Sequence, residues 1–291
     1  MKATLTAMCL AVMLTAVEAA AEAAPDCDAL TEMLSTLDGY DVTVPPAAAQ
    51  DGWCVLDRAT FRSGVPGWPD LTTERLRLRQ SGTEFELDLK GLRAAPGPSD
   101  SEIDDRLRSL MRLQSADLRL KAVQDPVAGV LSLSGVRLDL SGGSAVELEA
   151  DIRGADLSPA TLALGAVTWA RLDWRNDGKL LRPVLDLAGE RMAGQPGGAA
   201  VDAARAALAD LVEALPGSVV DDASREALRA AVRALPQGRG KLTLTFQSES
   251  GVGAARLAVA SLSADLASPE ALAAILSDAR ITAAWQPGLM P

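Results

Sequence analysis

The feature that most constrains the fold of this chain is a two-residue rhythm that keeps returning. Arg75-Leu76-Arg77-Leu78-Arg79 alternates strictly between charge and leucine, as do Glu84-Phe85-Glu86-Leu87-Asp88-Leu89-Lys90 and Asp117-Leu118-Arg119-Leu120-Lys121. Residues 136–140, 146–152, 168–175, 180–187, 241–246, 256–262 and 280–285 carry the same rhythm. Successive side chains of a strand point to opposite faces, so period two with one apolar set reads as half-buried antiparallel strands. Ser81-Gly82, Ser141-Gly142-Gly143 and Asp177-Gly178 supply turns between them. Leu131 and Leu133 are out of phase with Val136, which predicts a bulge near Ser134-Gly135.

Helical stretches interrupt the strands. The box Ser99-Asp100-Ser101-Glu102 precedes Ile103, Leu107, Leu110 and Met111. Val201, Ala204, Leu208, Leu211, Val212 and Leu215 form a stripe of helical spacing, ended by Pro216-Gly217. Ser218 is a candidate cap for a second helix with Leu228, Val232 and Leu235 inward, stopped at Pro236-Gln237-Gly238. Residues 199–236 therefore read as an αα-hairpin inserted between strands. Ser268-Pro269 opens a last short helix with Leu272, Ile275 and Leu276 inward. The expected fold is α+β: a large, curved, mostly antiparallel amphipathic sheet with a few helices packed on one face.

The first residues predict export. Met1-Lys2 precedes an uncharged apolar run, and Val17-Glu18-Ala19 and Ala21-Glu22-Ala23 both fit a small-x-small cleavage rule. Residues 1–24 read as a signal peptide and 25–291 as one β-rich domain, soluble and periplasmic, with no transmembrane segment in the mature chain. Cys27 and Cys54 remain after removal of the signal, and in an oxidising compartment they are expected to form a disulfide. The geometry expected is a helix from Asp26 to Leu37, capped by Asp26 or Asp28, stapled to a strand that opens at Cys54. A redox pair is the other reading of two cysteines, but such pairs sit in a close Cys-x-x-Cys.

Composition excludes whole classes of chemistry. The chain has no histidine, so a Ser-His-Asp triad, a Cys-His dyad, a histidine-ligated zinc and a histidine base are all absent. A net charge of −11 without a basic stripe suits neither nucleic acid nor an anionic membrane surface. Aromatic residues make up 3%, so stacking on bases or sugars is not the main theme. Asp173 to Gly178 resembles half of a calcium loop, without its spacing or terminal glutamate. Asp104-Asp105 and Asp221-Asp222 sit in first turns of expected helices, where negative charge favours the macrodipole. Trp53, Trp68, Trp169, Trp174 and Trp285 are the side chains best able to mark a ligand pocket, though such residues are more often core or rim anchors. No catalytic residue, metal ligand or cofactor site is expected.

One resemblance comes from the second half. Val167-Thr168-Trp169-Ala170-Arg171-Leu172-Asp173-Trp174, then Asn176-Asp177-Gly178-Lys179-Leu180, Leu187-Ala188 and the helical hairpin resemble the YdgA-like group of proteobacterial envelope proteins. The likeness spans about residues 160–290 and implies an envelope role without implying any catalytic residue. Large envelope proteins with long amphipathic sheets, the AsmA-like ones, handle lipids, which is an architectural analogy.

The expected function is a non-enzymatic periplasmic protein that binds a lipid or an envelope partner along its sheet. The candidate hydrophobic-ligand face is Leu76, Leu78, Phe85, Leu87, Leu89, Leu118, Leu120, Leu138 and Leu140. The alternatives are that this face is the protein's own core, or that the chain is an assembly factor acting through the αα-hairpin.

Overall fold

The structure is a computed structural model that describes residues 26–35, 40–64, 69–95, 114–157, 161, 164–176, 181–236, 239–253 and 269–288. The expected signal peptide, the helix at 99–111 with Asp104-Asp105, Trp68, the Asp177-Gly178 turn and the strand at 256–262 lie outside the described residues.

The fold is α+β, built on one large antiparallel sheet of thirteen strands that does not close on itself. The alternating segments become its long central strands: β6 (Arg75–Ser81), β7 (Glu84–Ala95), β8 (Ala116–Asp125), β9 (Val130–Leu140), β10 (Ala145–Arg153), β11 (Ala166–Asn176), β12 (Gly240–Gly253) and β13 (Ala279–Pro287). From β7 to β13 the strands lie side by side in chain order, each antiparallel to the next. The predicted bulge is present. The register of β9 shifts by one residue against both β8 and β10 around Ser134-Gly135, and Gly135 takes φ 60°.

Short strands build the other end, and only the one around Cys54 is expected from the sequence. These are β1 (Tyr40–Thr43), β2 (Ala48–Gln50), β3 (Trp53–Asp57), β4 (Thr60–Ser63) and β5 (Asp70–Thr72). One edge of β7 is shared, with β6 along Glu84–Lys90 and β5 along Arg93–Ala95. β3 and β2 continue outward from β6, and β4 and β1 from β5. The fork marks a bend. β3 passes into β4 through Arg58 at φ 63°, β5 into β6 through Thr73-Glu74, and β7 turns at Gly91 with φ 61°. Arg58 N–H donates to the Glu74 carbonyl and Glu74 N–H to the Lys90 carbonyl, so the three kinks lie side by side. Gly91 takes φ 61°, a left-handed conformation that side chains rarely adopt, which is why this step of the corner is a glycine.

The bend wraps the main core. Helix α1 (Cys27–Ser35) is capped by Asp26, whose Oδ1 accepts from Ala29 N–H at 3.0 Å. Its Leu30 and Leu34 pack with Cys54, Leu56, Ala59, Phe61, Leu76, Leu78 and Leu89. The Cys27–Cys54 disulfide, with Cα atoms 5.3 Å apart, ties α1 to β3 as expected, though β3 is the third strand and not the first.

One sequence reading is overturned. The strand expected at 180–187 is not formed over 181–187, where helix α2 runs over Leu181–Ala193 instead. Pro183 explains the difference. In a first helical turn its missing N–H costs nothing, whereas in a central strand it would remove a ladder bond. The hairpin follows as α3 (Gly198–Ala214) and α4 (Asp222–Ala234). The cap of α4 is Asp221, whose side chain accepts from Ser224 N–H at 2.7 Å, and not Ser218. α3 packs chiefly on α2, through Val201 and Ala204 against Leu185. α4 lies against β13. The last helix, α5 (Pro269–Ile275), buries Ile275.

Two stability outcomes follow. Reducing the disulfide, or Cys54→Ser, should lower unfolding free energy in urea by about 3 kcal/mol, from the loop-closure entropy it removes; an unchanged midpoint would show that the staple does not act on the cooperative unit. Gly189 in α2 faces the backbone of α3, and a Cβ there would lie 1.8 Å from the Ala200 carbonyl oxygen. Gly189→Ala should therefore push the two helices apart and cost about 1–3 kcal/mol by overpacking, read from the same titration.

Candidate functional site

The sheet has two chemically opposite faces, and register shows how strictly they are kept apart. One row runs Leu76–Leu89–Leu118–Leu138–Val146–Trp174–Leu242–Trp285 across β6 to β13. The neighbouring row on the other face runs Arg77–Asp88–Arg119–Arg137–Glu147–Asp173–Thr243.

The residues expected to line a hydrophobic-ligand face divide into two groups. Leu76, Leu78 and Leu89 are 1%, 0% and 8% exposed inside the α1 core. Leu87 and Leu118 pack against that core, Leu120 against a second cluster of Ala122, Leu131, Ile152 and Ala155, and Phe85 against both. Leu76, Leu78 and Leu89 are enclosed to a degree that offers no surface to a ligand, and the half-buried Phe85, Leu87, Leu118 and Leu120 pack on buried clusters, so this half of the apolar face serves as the protein's own core. Leu138 and Leu140 are different: both are half-buried and belong to neither cluster among the described residues. They continue into Val146, Leu148, Leu172, Trp174, Leu244, Phe246 and Trp285, all half-buried. The same alternation marked those strands in the sequence, but their register against Leu138 was needed to join them.

The opposite face is an ionic lattice. Asp117 accepts from Lys90 Nζ at 2.8 Å and from Gly91 N–H at 3.0 Å, and these bonds hold its carboxyl below the usual range. Arg137 forks onto Asp139 at 2.7 and 2.9 Å and reaches Glu147 at 2.8 Å, which lowers the Asp139 carboxyl. Burial pushes Asp173 up, but hydrogen bonds from Thr243 and Lys241 outweigh it and leave the group lowered. Lys121 and Glu84 pair at 2.8 Å, lowering Glu84. Each pair is partly or fully solvated, so each contributes little by itself.

Two depressions open on this charged face. One, of about 440 Å³, is lined by Trp53, Arg77, Glu86, Asp88, Arg119, Lys121 and Gly135, with Leu87 and Leu120 behind them. The other, of about 220 Å³, is lined by Arg137, Ala145, Glu147, Asp173, Arg175 and Lys241. Trp53 lies in the first, with the Arg77 and Arg79 guanidinium carbons each 4.8 Å from its ring centroid. Trp169 stands on the charged face, and Trp174 and Trp285 on the apolar one. Asp221 and Asp222 serve the N-terminus of α4, and no group of metal-ligating side chains occurs among the described residues. No helix among the described residues is long and apolar enough to cross a membrane.

The lowered carboxylates set a pH profile. A carboxyl whose folded pKa lies below its unfolded value stabilises the fold above the unfolded value, and that contribution is lost as pH falls through the folded one. Asp117, Asp139, Asp173, Glu84, Glu213 and Asp221 are all lowered. With no histidine to titrate, the urea midpoint should stay flat from about pH 8 to 5 and fall below about pH 4. A step near pH 6.5 would contradict this. No family model matches the chain and no curated protein matches its sequence, so the site is read from its geometry alone.

Proposed function

We propose that this protein is a non-catalytic, exported envelope component that holds the acyl chains of a lipid on the β9–β13 half of its apolar sheet face. The observation that carries the reading is the half-buried row Leu138–Val146–Trp174, flanked by Leu140, Leu148, Leu172 and Leu244, which continues past the two buried clusters. These side chains are mainly aliphatic and carry no charge, so the surface suits methylene chains better than polar ligands. The disulfide fits an oxidising compartment such as the periplasm.

A partner that adds a strand at β13 is disfavoured. Ala279 N–H donates to the Leu276 carbonyl, Ile281 N–H to the Val219 carbonyl and Ala283 N–H to Ser224 Oγ, while Pro287 has no N–H. Most of the outward donors on that edge are therefore occupied or missing, which blunts it against augmentation.

A second reading, an assembly factor docking through the helical hairpin, draws on Leu208 and Leu211 of α3, 37% and 40% exposed. Deleting the hairpin would not test it cleanly, because Val219, Val220 and α4 cover β13. Leu208→Glu with Leu211→Glu would leave that edge intact.

Native mass spectrometry of protein purified from its host envelope should show bound lipid. The Leu138→Asp, Leu244→Asp double variant should lose that lipid while keeping a cooperative thermal transition. A repeatedly lipid-free mass for the unmodified protein would sink the lipid reading. Loss of a co-purifying protein in the Leu208, Leu211 variant would favour the second.

A further inference from the structure

Among the described residues six large hydrophobic side chains stand out from the surface, and four of them lie on one pair of helices. Val184 and Met192 of α2 are 44% and 56% exposed, and the exposed Ala188 between them continues a four-residue spacing that keeps one side of the helix. Leu208 and Leu211 stand out from α3. The two helices form one body, because Gly189 brings the backbone of α2 against Ala200. α4 holds that body to the sheet. Arg225 donates to the Val212 and Leu215 carbonyls at the end of α3, at 2.6 and 2.7 Å, and Ser224 Oγ accepts from Ala283 N–H of β13.

The helices leave and rejoin the sheet at the end where the β9–β13 half of its apolar face is least enclosed. Residues 177–180 alone separate Asn176, the last residue of β11, from α2, so α2 begins within about 18 Å of it. α4 leads back to β12 at Gly240. At this end Leu140, Val146, Trp174 and Trp285 are half-buried, with the buried Leu242 between the two tryptophans. The Trp285 ring lies over Gly240, where a Cβ would fall 2.5 Å from it. At the far end of the same strands Leu131, Ile152, Ala155, Ile275 and Ala279 are all buried. An acyl chain on this half of the face therefore has its way out beside α2 and α3. The other two exposed side chains, Val127 and Leu164, stand on connections at the sealed end.

We propose that α2 and α3 dock this protein on a zwitterionic lipid bilayer, so that acyl chains pass between the bilayer and the aliphatic row without crossing water. The inference rests on the lipid reading of that row. Val184, Met192, Leu208 and Leu211 gain by leaving water for the boundary between headgroups and chains, and indole rings such as those of Trp174 and Trp285 favour the same depth. A net charge of −11 repels an anionic surface, which selects the zwitterionic one.

Purified protein should float with phosphatidylcholine vesicles, half-bound at or below about 1 mM lipid. Salt up to about 0.5 M should not release it, since no charge attraction holds it. Val184→Gln with Met192→Gln should weaken flotation about tenfold without moving the thermal midpoint. Val127→Gln, at the sealed end, should leave flotation unchanged. Unmodified protein that does not float, as expected of a face kept for a protein partner, would overturn the docking site. So would full flotation of the Val184, Met192 variant, loss of flotation in the Val127 variant, or tighter binding to phosphatidylglycerol vesicles. Native mass spectrometry judges the row separately. Flotation of a protein that carries no lipid would sink the lipid reading and leave the docking site standing, and bound lipid without flotation would do the reverse.

Discussion

The separation of leucine from charge on the two faces of one sheet is the constraint on which the rest of this structure depends. Side chains alternate with period two, so a slip of one residue between neighbouring strands would carry Arg77, Asp88, Arg119 and Arg137 to the apolar face and expose Leu76, Leu89, Leu118 and Leu138. Burying unpaired charge is far more costly than any one surface ion pair is favourable. The lattice on the polar face therefore matters less as a sum of attractions than as a penalty against every other register. This explains why two unfavourable pairings persist. Arg119 stands opposite Arg137 and Asp117 opposite Asp139, but Asp117 is held by Lys90 and Gly91, and Arg137 by Asp139 and Glu147. Register is fixed elsewhere in the strands, and diagonal partners absorb the local conflict.

A sheet this wide has two ends to close, and the chain closes them differently. At β1–β7 the strands kink together at Arg58, Thr73-Glu74 and Gly91, and the bend folds over α1. The disulfide prevents α1 from leaving that fold. At β13, α4 and the Val219-Val220 segment cover the outer edge by hydrogen bonds to Ile281 and Ala283. The first device generates a core, and the second protects an edge.

What the sequence made legible follows from range. Alternation in residues 75–79, 84–90, 117–121, 136–140 and 146–152 is local and strong, and all became strands; the phase change between Leu133 and Val136 became the bulge. The disulfide followed from the expected compartment and the cysteine count. Strands β1, β2, β4 and β5 are three or four residues long, too short to show a period, and exist because tertiary pairing holds them. Residues 181–193 misled because Leu185 and Leu187 mimic alternation, although Leu181, Leu185 and Gly189 already sat at helical spacing. The apolar face was foreseen, but not its division. Whether Leu76 or Leu138 is enclosed depends on where the bend and α1 fall, which no single strand records. The Asp88–Arg119 pairing needed the β7–β8 register.

The regular pattern of this sheet lapses in two places, one on each face. Along most of the polar face each acid has its base, and such a surface has little left to offer a ligand. The extra residue in β9 breaks the match between β8 and β9 and removes a side chain at Gly135. On the apolar face the lapse is of another kind. The rows continue across β9 to β13, but among the described residues Leu138 and its neighbours in the row belong to neither of the two clusters that fill β6 to β8 and the Leu131 end of β9 to β11, and Leu242 is the buried member of the row. One lapse is polar and small, the other aliphatic and long, and they lie back to back across a single layer of strands. The same alternation that fixes the fold keeps the chemistry of the two faces apart.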